Sequence, residues 1–172
     1  MNTQPDASIE ICAPDPQWPA RFEAERRLLQ PLLAPWLAGP IEHIGSTAVP
    51  GLAAKPVLDI MAPVHALAAS TGAIAAAASL GYLYHPYRAE TMHWFCKPSP
   101  AHRTHHLHLV PWGSALWQDR LAFRDALRRS PALAAQYQAL KLRLAAQFST
   151  DREAYTDAKA PFIAAVLAHT AR

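Results

Sequence analysis

The residues with the clearest chemical meaning lie in the segment IEHIGSTAVPGLAAKPVLDIMA, residues 41–62. Gly45 and Ser46 form a turn at which backbone N–H groups and a hydroxyl can cradle a phosphate. Asp59 follows on an apolar run, where an acid needs a cation, a metal ion or hydrogen bonds. A phosphate cradle opposite a metal-binding carboxylate is the core of a phosphate-handling site. The alternative is an ordinary turn followed by a structural aspartate that backbone amides satisfy.

Histidines in the segment RTHHLHLV supply a second group of candidate metal ligands. On a strand, His106 and His108 point to one face and His105 points to the other, which makes His105 the weakest candidate. A His-x-His pair on one face can present two imidazoles to one metal ion. With Asp59 on another strand, the pattern predicts Asp59, His106 and His108 as both the metal ligands and the catalytic residues. The alternative is a polar sheet face of hydrogen-bonded histidines.

Basic residues that could hold phosphate are spread over loops and helices. Lys55 precedes the strand of the aspartate, and Arg103 flanks a hairpin loop. Lys159 interrupts an apolar helical stripe, where a lysine rarely lies without an anionic partner. Lys141 has the matching place on the preceding helix, and we predict that both lysines converge on the site; the alternative is that they reach solvent. The predicted phosphate-binding residues are Gly45, Ser46, Thr47, Lys55, Arg103, Lys141 and Lys159.

The elements that must position these residues predict a mixed sheet followed by helices. Apolar and β-branched runs predict strands at 8–12, 41–45, 57–64, 82–85, 93–96 and 105–110. Helical periodicity predicts helices at 18–37, 65–79, 114–129, 131–147 and 152–169. We therefore predict an α/β fold (an α+β mixed sheet) with helices on one side and a C-terminal helical segment. It forms a single domain over 1–172, with a sheet core over 1–112 and the helical segment over 113–172.

Composition limits the class of partner. The chain has 172 residues, 51% of them apolar, and 16 basic against 13 acidic residues give a net charge of +3. This excess suits a small anionic ligand and is too small for a nucleic-acid-binding surface. The two cysteines form no disulfide framework, and neither a signal peptide nor a membrane span is evident. We expect a cytoplasmic protein without a membrane partner; its oligomeric state stays open.

Five segments together resemble the GrpB family, small bacterial proteins with a nucleotidyltransferase-like fold. They are EHIGSTAVPGLAAKPVLDI, RTHHLHLV, FRDALR, YQALK and YTDAK, and they span nearly the whole chain in the family's order. The resemblance implies a nucleotidyltransferase-like sheet. Relatives are sometimes fused to dephospho-coenzyme A kinase, which hints at nucleotide or coenzyme A metabolism. Active members of the superfamily place two acids on the strand of Asp59 and a third on a later strand, so that three carboxylates hold two Mg²⁺ ions.

The chain departs from that pattern at two places. Met61 stands at the second acid position, and His106 and His108 stand where the later strand would offer an acid. Imidazole suits Zn²⁺ and Mn²⁺ better than Mg²⁺, so we expect one divalent ion, Mn, Zn or Mg.

We therefore predict a divergent nucleotidyltransferase-like protein. It acts on or binds a nucleotide or another phosphorylated small molecule, and it is a nucleotidyl- or phosphoryl-transferase if it is catalytic. Two alternatives stay open. One is a non-catalytic nucleotide- or coenzyme A-binding module, and the other is a metal-dependent hydrolase.

Overall fold

The computed structural model describes residues 7–170 and is built on a five-stranded sheet with the order β1-β2-β5-β4-β3. The two central strands, β2 and β5, run parallel, and all other neighbours are antiparallel. Parallel strands begin at the same edge of a sheet, so Asp59 of β2 lies directly beside His106 of β5. The strands are β1 Glu42–Ile44, β2 Leu58–Val64, β3 Leu83–His85, β4 His93–Pro98 and β5 Arg103–Pro111.

Alternation along the central strands gives the sheet two different faces. Ile60 and Ala62 of β2 and Leu107 of β5 are fully buried beneath the helices α1 (Trp18–Leu33) and α2 (Gly72–Ala78). We call this side the covered face. Because side chains alternate with a period of two, Asp59 and His106 point to the opposite side, which we call the open face.

The C-terminal part of the chain is helical and covers part of the open face. Its helices are α3 Ala115–Arg129, α4 Pro131–Gln147, α5 Arg152–Asp157 and α6 Ala160–Thr170. Ser114 and Ser130 cap α3 and α4. The side-chain oxygen of each serine accepts a hydrogen bond from the backbone N–H three residues further along the chain. Trp117 of α3 packs against Met61 and Val110. The predicted mixed α/β fold with a helical C-terminal segment is therefore confirmed.

Several element bounds differ from those predicted. Residues 8–12 form no strand, because their backbone bonds are divided between Ala54 and Ser149. The helix predicted to reach residue 37 ends at Leu33. The helix predicted at 65–79 is a 3-10 turn, Ala68–Ser70, followed by α2.

The last predicted helix, 152–169, is broken between α5 and α6. Pro161 lies in the first turn of α6 and has no N–H to donate to the carbonyl four residues earlier, so the helix cannot continue through it. Lys159 consequently lies between two helices.

The predicted domain, 1–172, includes residues 1–6 and 171–172, which lie outside the described residues. Among the helices within 7–170, none combines the length and the apolar character that crossing a bilayer requires.

Candidate functional site

Asp59, His106 and His108 meet on the open face and form what we call the triad. The ring nitrogens His106 Nδ1 and His108 Nε2 lie 2.9 and 3.4 Å from Asp59 Oδ1. The register explains the meeting, because Asp59 pairs with His106 and His108 lies two residues further along the same face. One potential ligand atom from each residue lies within 4.8 Å of the others. The structure thus brings the three predicted metal ligands together.

The donor set of the triad fits a divalent ion. His106 Nε2 and His108 Nδ1 are buried and have no hydrogen-bond partner among residues 7–170. These two nitrogens lie on the far side of each ring from Asp59, so the atoms that could share an ion with the carboxylate are His106 Nδ1 and His108 Nε2. Two imidazoles and one carboxylate are a ligand set that suits Zn²⁺ or Mn²⁺.

The protonation states of the triad also suit a cation. Burial raises the pKa of Asp59, but the hydrogen bonds from His106 and His108 outweigh burial and hold that pKa well below its usual value. Burial lowers the pKa of His108 to about 3, and the charge of Arg120 acts in the same direction. At neutral pH, Asp59 is therefore ionised and His108 is neutral, which are the forms that bind metal ions.

Gly45 lets the backbone of the turn approach the triad. Its φ of 72° lies in the left-handed region, and a Cβ at this position would lie 2.6 Å from Asp59 Oδ2. Any side chain is thus excluded both by backbone strain and by the carboxylate. The 3-10 turn Ser46–Ala48 begins at the next residue. The predicted phosphate cradle and the predicted metal ligand are therefore in direct contact.

Thr47 and Ser46 play different parts in this turn. The buried Thr47 hydroxyl shares a hydrogen bond of 2.9 Å with His43 Nε2 and lies 3.5 Å from the Val57 carbonyl. Its side chain is thus held by the scaffold, which leaves the backbone N–H of Thr47 as its group for a phosphate. Burial raises the pKa of Tyr137 of α4, and the Ser46 side chain acts in the opposite direction, so the turn and the helical segment influence each other.

Three lysines converge around two tyrosine rings, and we call them the lysine cluster. The Nζ atoms of Lys55 and Lys159 lie 5.1 and 4.4 Å from the centroid of the Tyr155 ring. Lys141 Nζ lies 5.1 Å from the centroid of the Tyr137 ring. Within residues 7–170, none of these three ammonium groups has a carboxylate within 4 Å. The cluster is a concentration of positive charge without an acid to balance it.

Burial and mutual repulsion lower the pKa values of the lysine cluster. Burial lowers the pKa of Lys141 to about 7, and the charges of Lys159 and Lys55 add to the effect. Burial lowers the pKa of Lys159 to about 8, with Lys55 adding and Asp59 opposing. Lys141 is only 2% exposed and donates to the Ala53 carbonyl. An anion bound among these groups would relieve the repulsion and favour their charged forms.

The loop before β2 aligns α4 with the site. The Ala53 N–H donates to Gln138 Oε1 over 2.9 Å, one helical turn before Lys141.

The charge of Asp59 raises the pKa of both Lys55 and Lys159, partly offsetting the lowering by burial. The triad and the lysine cluster therefore belong to one electrostatic site.

Arg103 lies at the edge of this site. Its guanidinium lies 5.2 Å from the centroid of the Trp94 ring, and its Nε donates to the Pro100 carbonyl. Sequence reasoning missed Arg152, which donates to the carbonyls of the same 100–101 loop. The charges of Arg103 and Arg152 both lower the pKa of Lys55, after the larger effect of burial. No pattern in the sequence marks Arg152, because its position depends on how α5 meets the hairpin loop.

Two neighbours on β1 and β2 do not join the triad. Met61 is fully buried and packs with Ile44 and Trp117, so this position of the strand is part of the core. Glu42 is paired with Arg124 of α3 at 2.7 Å. Asp59 is therefore the one carboxylate of the candidate metal site found within residues 7–170.

Two surface cavities lie elsewhere. One of about 420 Å³ is lined by residues of the 49–50 loop and the α3–α4 corner, and one of about 400 Å³ is lined by residues 14–19 and 47–51. Neither is lined by a residue of the triad, in which the Asp59 side chain is 30% exposed.

Comparison with known proteins agrees with the fold and the segments described. A family model described as GrpB protein matches residues 8–169. A UPF0157 protein of Deinococcus radiodurans is 39% identical over 170 residues, covering 98% of this chain and 86% of that protein. The crystal structure of conserved protein GrpB from Enterococcus faecalis matches with a TM-score of 0.83 and 31% identity, over 94% of this chain and 96% of that one.

A shorter match concerns a protein named Dephospho-CoA kinase of Mycolicibacterium paratuberculosis. It is 35% identical over 79 residues, which are 44% of this chain and 19% of that protein. The matches that extend over nearly the whole chain are those to GrpB and UPF0157 proteins, in both sequence and structure. The chain therefore belongs to the GrpB family.

Proposed function

We propose that the protein carries out metal-assisted transfer of a phosphoryl or nucleotidyl group from a phosphorylated small molecule, on a nucleotidyltransferase-like scaffold. The observation that carries the proposal is the convergence of two incomplete sites. The triad offers a carboxylate and two imidazoles without a cation, and the lysine cluster offers three basic side chains without an anion. A phosphorylated ligand with a divalent ion would complete both.

The phosphate part of the proposal rests on the lysine cluster and the turn. Lysine ammonium groups bind phosphate as point charges, and burial strengthens that attraction. The backbone N–H groups that begin at Ser46 lie next to Asp59 because Gly45 brings them there. A phosphate held by the turn and the lysine cluster would therefore lie beside the triad.

Asp59, His106 and His108 would hold the metal ion. A bound divalent ion supplies charge neutralisation on the phosphoryl oxygens and orients the acceptor. In the transfer, an acceptor oxygen forms a bond to phosphorus and the bond to the leaving phosphate breaks. The leaving oxygen keeps the electron pair, and the proton of the acceptor passes to water. The lysine cluster would stabilise the leaving phosphate, whose negative charge increases as the bond breaks.

Met61 favours a second candidate function, a non-catalytic nucleotide- or coenzyme A-binding module. This residue fills the second acid position of β2 with a buried thioether. A site that binds one cation through one carboxylate can retain a phosphorylated ligand without aligning an acceptor. The short similarity to a protein named Dephospho-CoA kinase supports coenzyme A derivatives as ligands to test beside nucleoside triphosphates.

Turnover of nucleoside triphosphates and coenzyme A derivatives, with Mn²⁺, Zn²⁺ and Mg²⁺ in turn, tests the proposal. We expect metal-dependent release of phosphate or pyrophosphate that Asp59→Asn abolishes. Asp119→Asn, the same change at an exposed position of α3, is the matched control and should keep full turnover. Turnover that survives in Asp59→Asn would contradict the proposal.

Ligand binding without turnover under any of the three metals would favour the binding module. Thermal stabilisation by the ligand should then disappear in Lys141→Met, while Arg143→Gln on the exposed side of the same helix leaves it unchanged.

A further inference from the structure

Arg120 of α3 is a cation on the open face that the proposed function does not use. Its Nη2 lies 3.7 Å from the Met92 sulfur, and its Nη1 is buried without a hydrogen-bond partner among residues 7–170. Burial lowers the pKa of Arg120, with Asp59 opposing and the charge of Arg88 adding to the effect. Neither Arg88 nor Arg120 has a carboxylate within 4 Å in the described part of the chain. We call these two residues the arginine pair.

The arginine pair lies at the opposite end of the strands from the lysine cluster. Arg120 contacts Met92, the residue immediately before β4. The first residue of β4 and Ala62 of β2 both pair with Leu109 of β5, so they lie at the same level of the sheet. Ala62 is three residues beyond Asp59, roughly 10 Å at about 3.3 Å per residue. The lysine cluster, in contrast, begins before β2 starts. The triad therefore lies between two groups of cations.

Aromatic side chains connect the arginine pair with the triad. The Arg88 guanidinium lies 5.3 Å from the centroid of the Tyr87 ring, and this ring lies 6.2 Å from that of Trp94. The Trp94 ring lies in turn 5.1 Å from the ring of His106. Tyr87 is 43% exposed, so this path is accessible from solvent.

The backbone at Arg88 is held in an uncommon conformation. Its φ of 48° is in the left-handed region, which costs a residue with a side chain about 1 kcal/mol. The turn is stabilised by the N–H groups of Thr91 and Met92, which both donate to the Arg88 carbonyl. Strained residues that the surrounding structure holds in place are found preferentially at binding sites.

We propose that the arginine pair binds the carboxylate or phosphate group of the acceptor, the second substrate of the transfer. This inference rests on the proposed function, in which the triad is the reacting centre and the lysine cluster binds the phosphates of the donor. A planar guanidinium matches the two oxygens of a carboxylate or phosphate. An acceptor fixed at the arginine pair would extend its reacting oxygen along the strands towards the triad. The preferred acceptor is therefore an anion rather than a neutral alcohol, and water takes its place when no such anion is supplied.

Crystals of the protein soaked in tungstate, and others soaked in 4-bromobenzoate, test this assignment. Tungsten and bromine locate a phosphate-like and a carboxylate anion by anomalous scattering. We expect tungsten in the lysine cluster and at least one of the two probes against Arg120. Arg120→Gln should lose the second site and keep the first, and so should Arg88→Gln, whose exposed position makes a folding defect improbable. Arg129→Gln, exposed on the same helix as Arg120, is the control and should keep both sites.

The outcomes separate this inference from the proposed function. Tungsten in the lysine cluster with neither probe at Arg120 overturns the acceptor subsite and leaves the proposed function standing. A probe at Arg120 that survives in both arginine variants also overturns it. A probe at Arg120 with no tungsten in the lysine cluster supports the subsite and counts against the phosphate site of the proposed function.

Discussion

The two faces of the sheet treat buried charge in opposite ways. On the covered face, Lys97 donates to Glu25, which also accepts a 2.9 Å bond from the Tyr82 hydroxyl and lies 3.8 Å from His105. On the open face, Lys141 is more deeply buried and donates to a neutral backbone carbonyl. The covered face balances its charges internally and so fixes α1 to β4 and β5. The lysine cluster on the open face has no acid within 4 Å among residues 7–170 to balance its positive charge.

This difference shows which buried charges are structural and which belong to a site. Placing an ion inside a protein costs several kcal/mol, roughly, unless an opposite charge compensates for it. A lysine beside a glutamate meets that condition from within the chain. The lysine cluster has no acid beside it, so its compensating charge would come from a bound anion. The open face is therefore the one where a ligand is expected.

The largest expected effect comes from breaking the balance on the covered face. Glu25→Gln leaves Lys97 without its counter-charge, and we expect the free energy of unfolding to fall by about 3–5 kcal/mol in urea denaturation. Glu23→Gln on the same helix removes the acid from half-buried pairs with Arg26 and Arg27 at the surface and should change stability little. Equal losses in the two variants would show that the covered face gains nothing from its internal pairing.

The next effect concerns the contact between the turn and the triad on the open face. Gly45→Ala should lower the free energy of unfolding by about 1–3 kcal/mol, because its backbone conformation is accessible almost only to glycine. It should also weaken Mn²⁺ binding in calorimetry, because the new Cβ displaces Asp59. Gly51→Ala is the matched control: its φ is 76° and its Cβ would meet no atom within 4 Å. We expect strain there as well, with Mn²⁺ binding unchanged; a loss of Mn²⁺ binding in both variants would contradict the direct contact.

The pH dependence of stability distinguishes the unbalanced lysine from a paired one. Burial lowers the pKa of Lys141 to about 7 from its usual 10.5, so between these values the unfolded chain binds the proton more strongly. The folded state should therefore gain stability as pH rises through this range, by at most about 1.4 kcal/mol per pH unit for one proton.

Lys141→Met should reduce this slope, which urea denaturation at pH 7, 8 and 9 measures. Arg143→Met on the same helix is exposed and should keep the slope. An identical slope in the wild type and Lys141→Met would mean that Lys141 is balanced by a charge in the chain.

The smallest expected effect concerns Glu42, an acid on the open face that is paired with a basic residue of the chain. Glu42→Gln removes one of the two acids that pair with Arg124 and leaves Asp125, so we expect a loss of only about 1 kcal/mol. Mn²⁺ affinity should stay unchanged, because Glu42 is not a member of the triad. A tenfold fall in Mn²⁺ affinity would instead place Glu42 in the metal site.

Sequence patterns predicted the elements that local signals specify. The β-branched and apolar runs of β2 and β5 marked both central strands, and period-two alternation placed His106 and His108 on one face. The segment 8–12 carries a similar strand signal, but within residues 7–170 it forms an isolated bridge with Ala54 and a hydrogen bond to Ser149 rather than a ladder. The break near Lys159 was missed, although the sequence shows Pro161. A proline in a helical segment does not exclude a helix around it, because the first turn of a helix tolerates proline.

Side chains that meet only through tertiary packing were beyond sequence reasoning. Glu25 and Lys97 are 72 positions apart, and nothing local marks either as a buried partner of the other. Arg120, Arg124 and Arg128 have the spacing of one basic stripe, yet their environments differ. Arg124 pairs with an acid and Arg128 donates to a backbone carbonyl, whereas Arg120 has neither kind of partner within residues 7–170. Equal spacing thus gave no indication of three different environments. The chemical roles of the triad and the lysine cluster stay predictions.

The parallel pairing of β2 and β5 has a consequence for how the chain folds. Asp59 and His106 are separated by 47 positions, and between them the chain must form α2, β3 and β4. Pairing across such a separation is slow, because a long loop closes before the contacts that stabilise it exist. A ligand that needs both residues cannot bind a partly folded chain, so it would slow unfolding without accelerating folding. Measured refolding and unfolding rates with and without Mn²⁺ would then show at which stage of folding the site is completed.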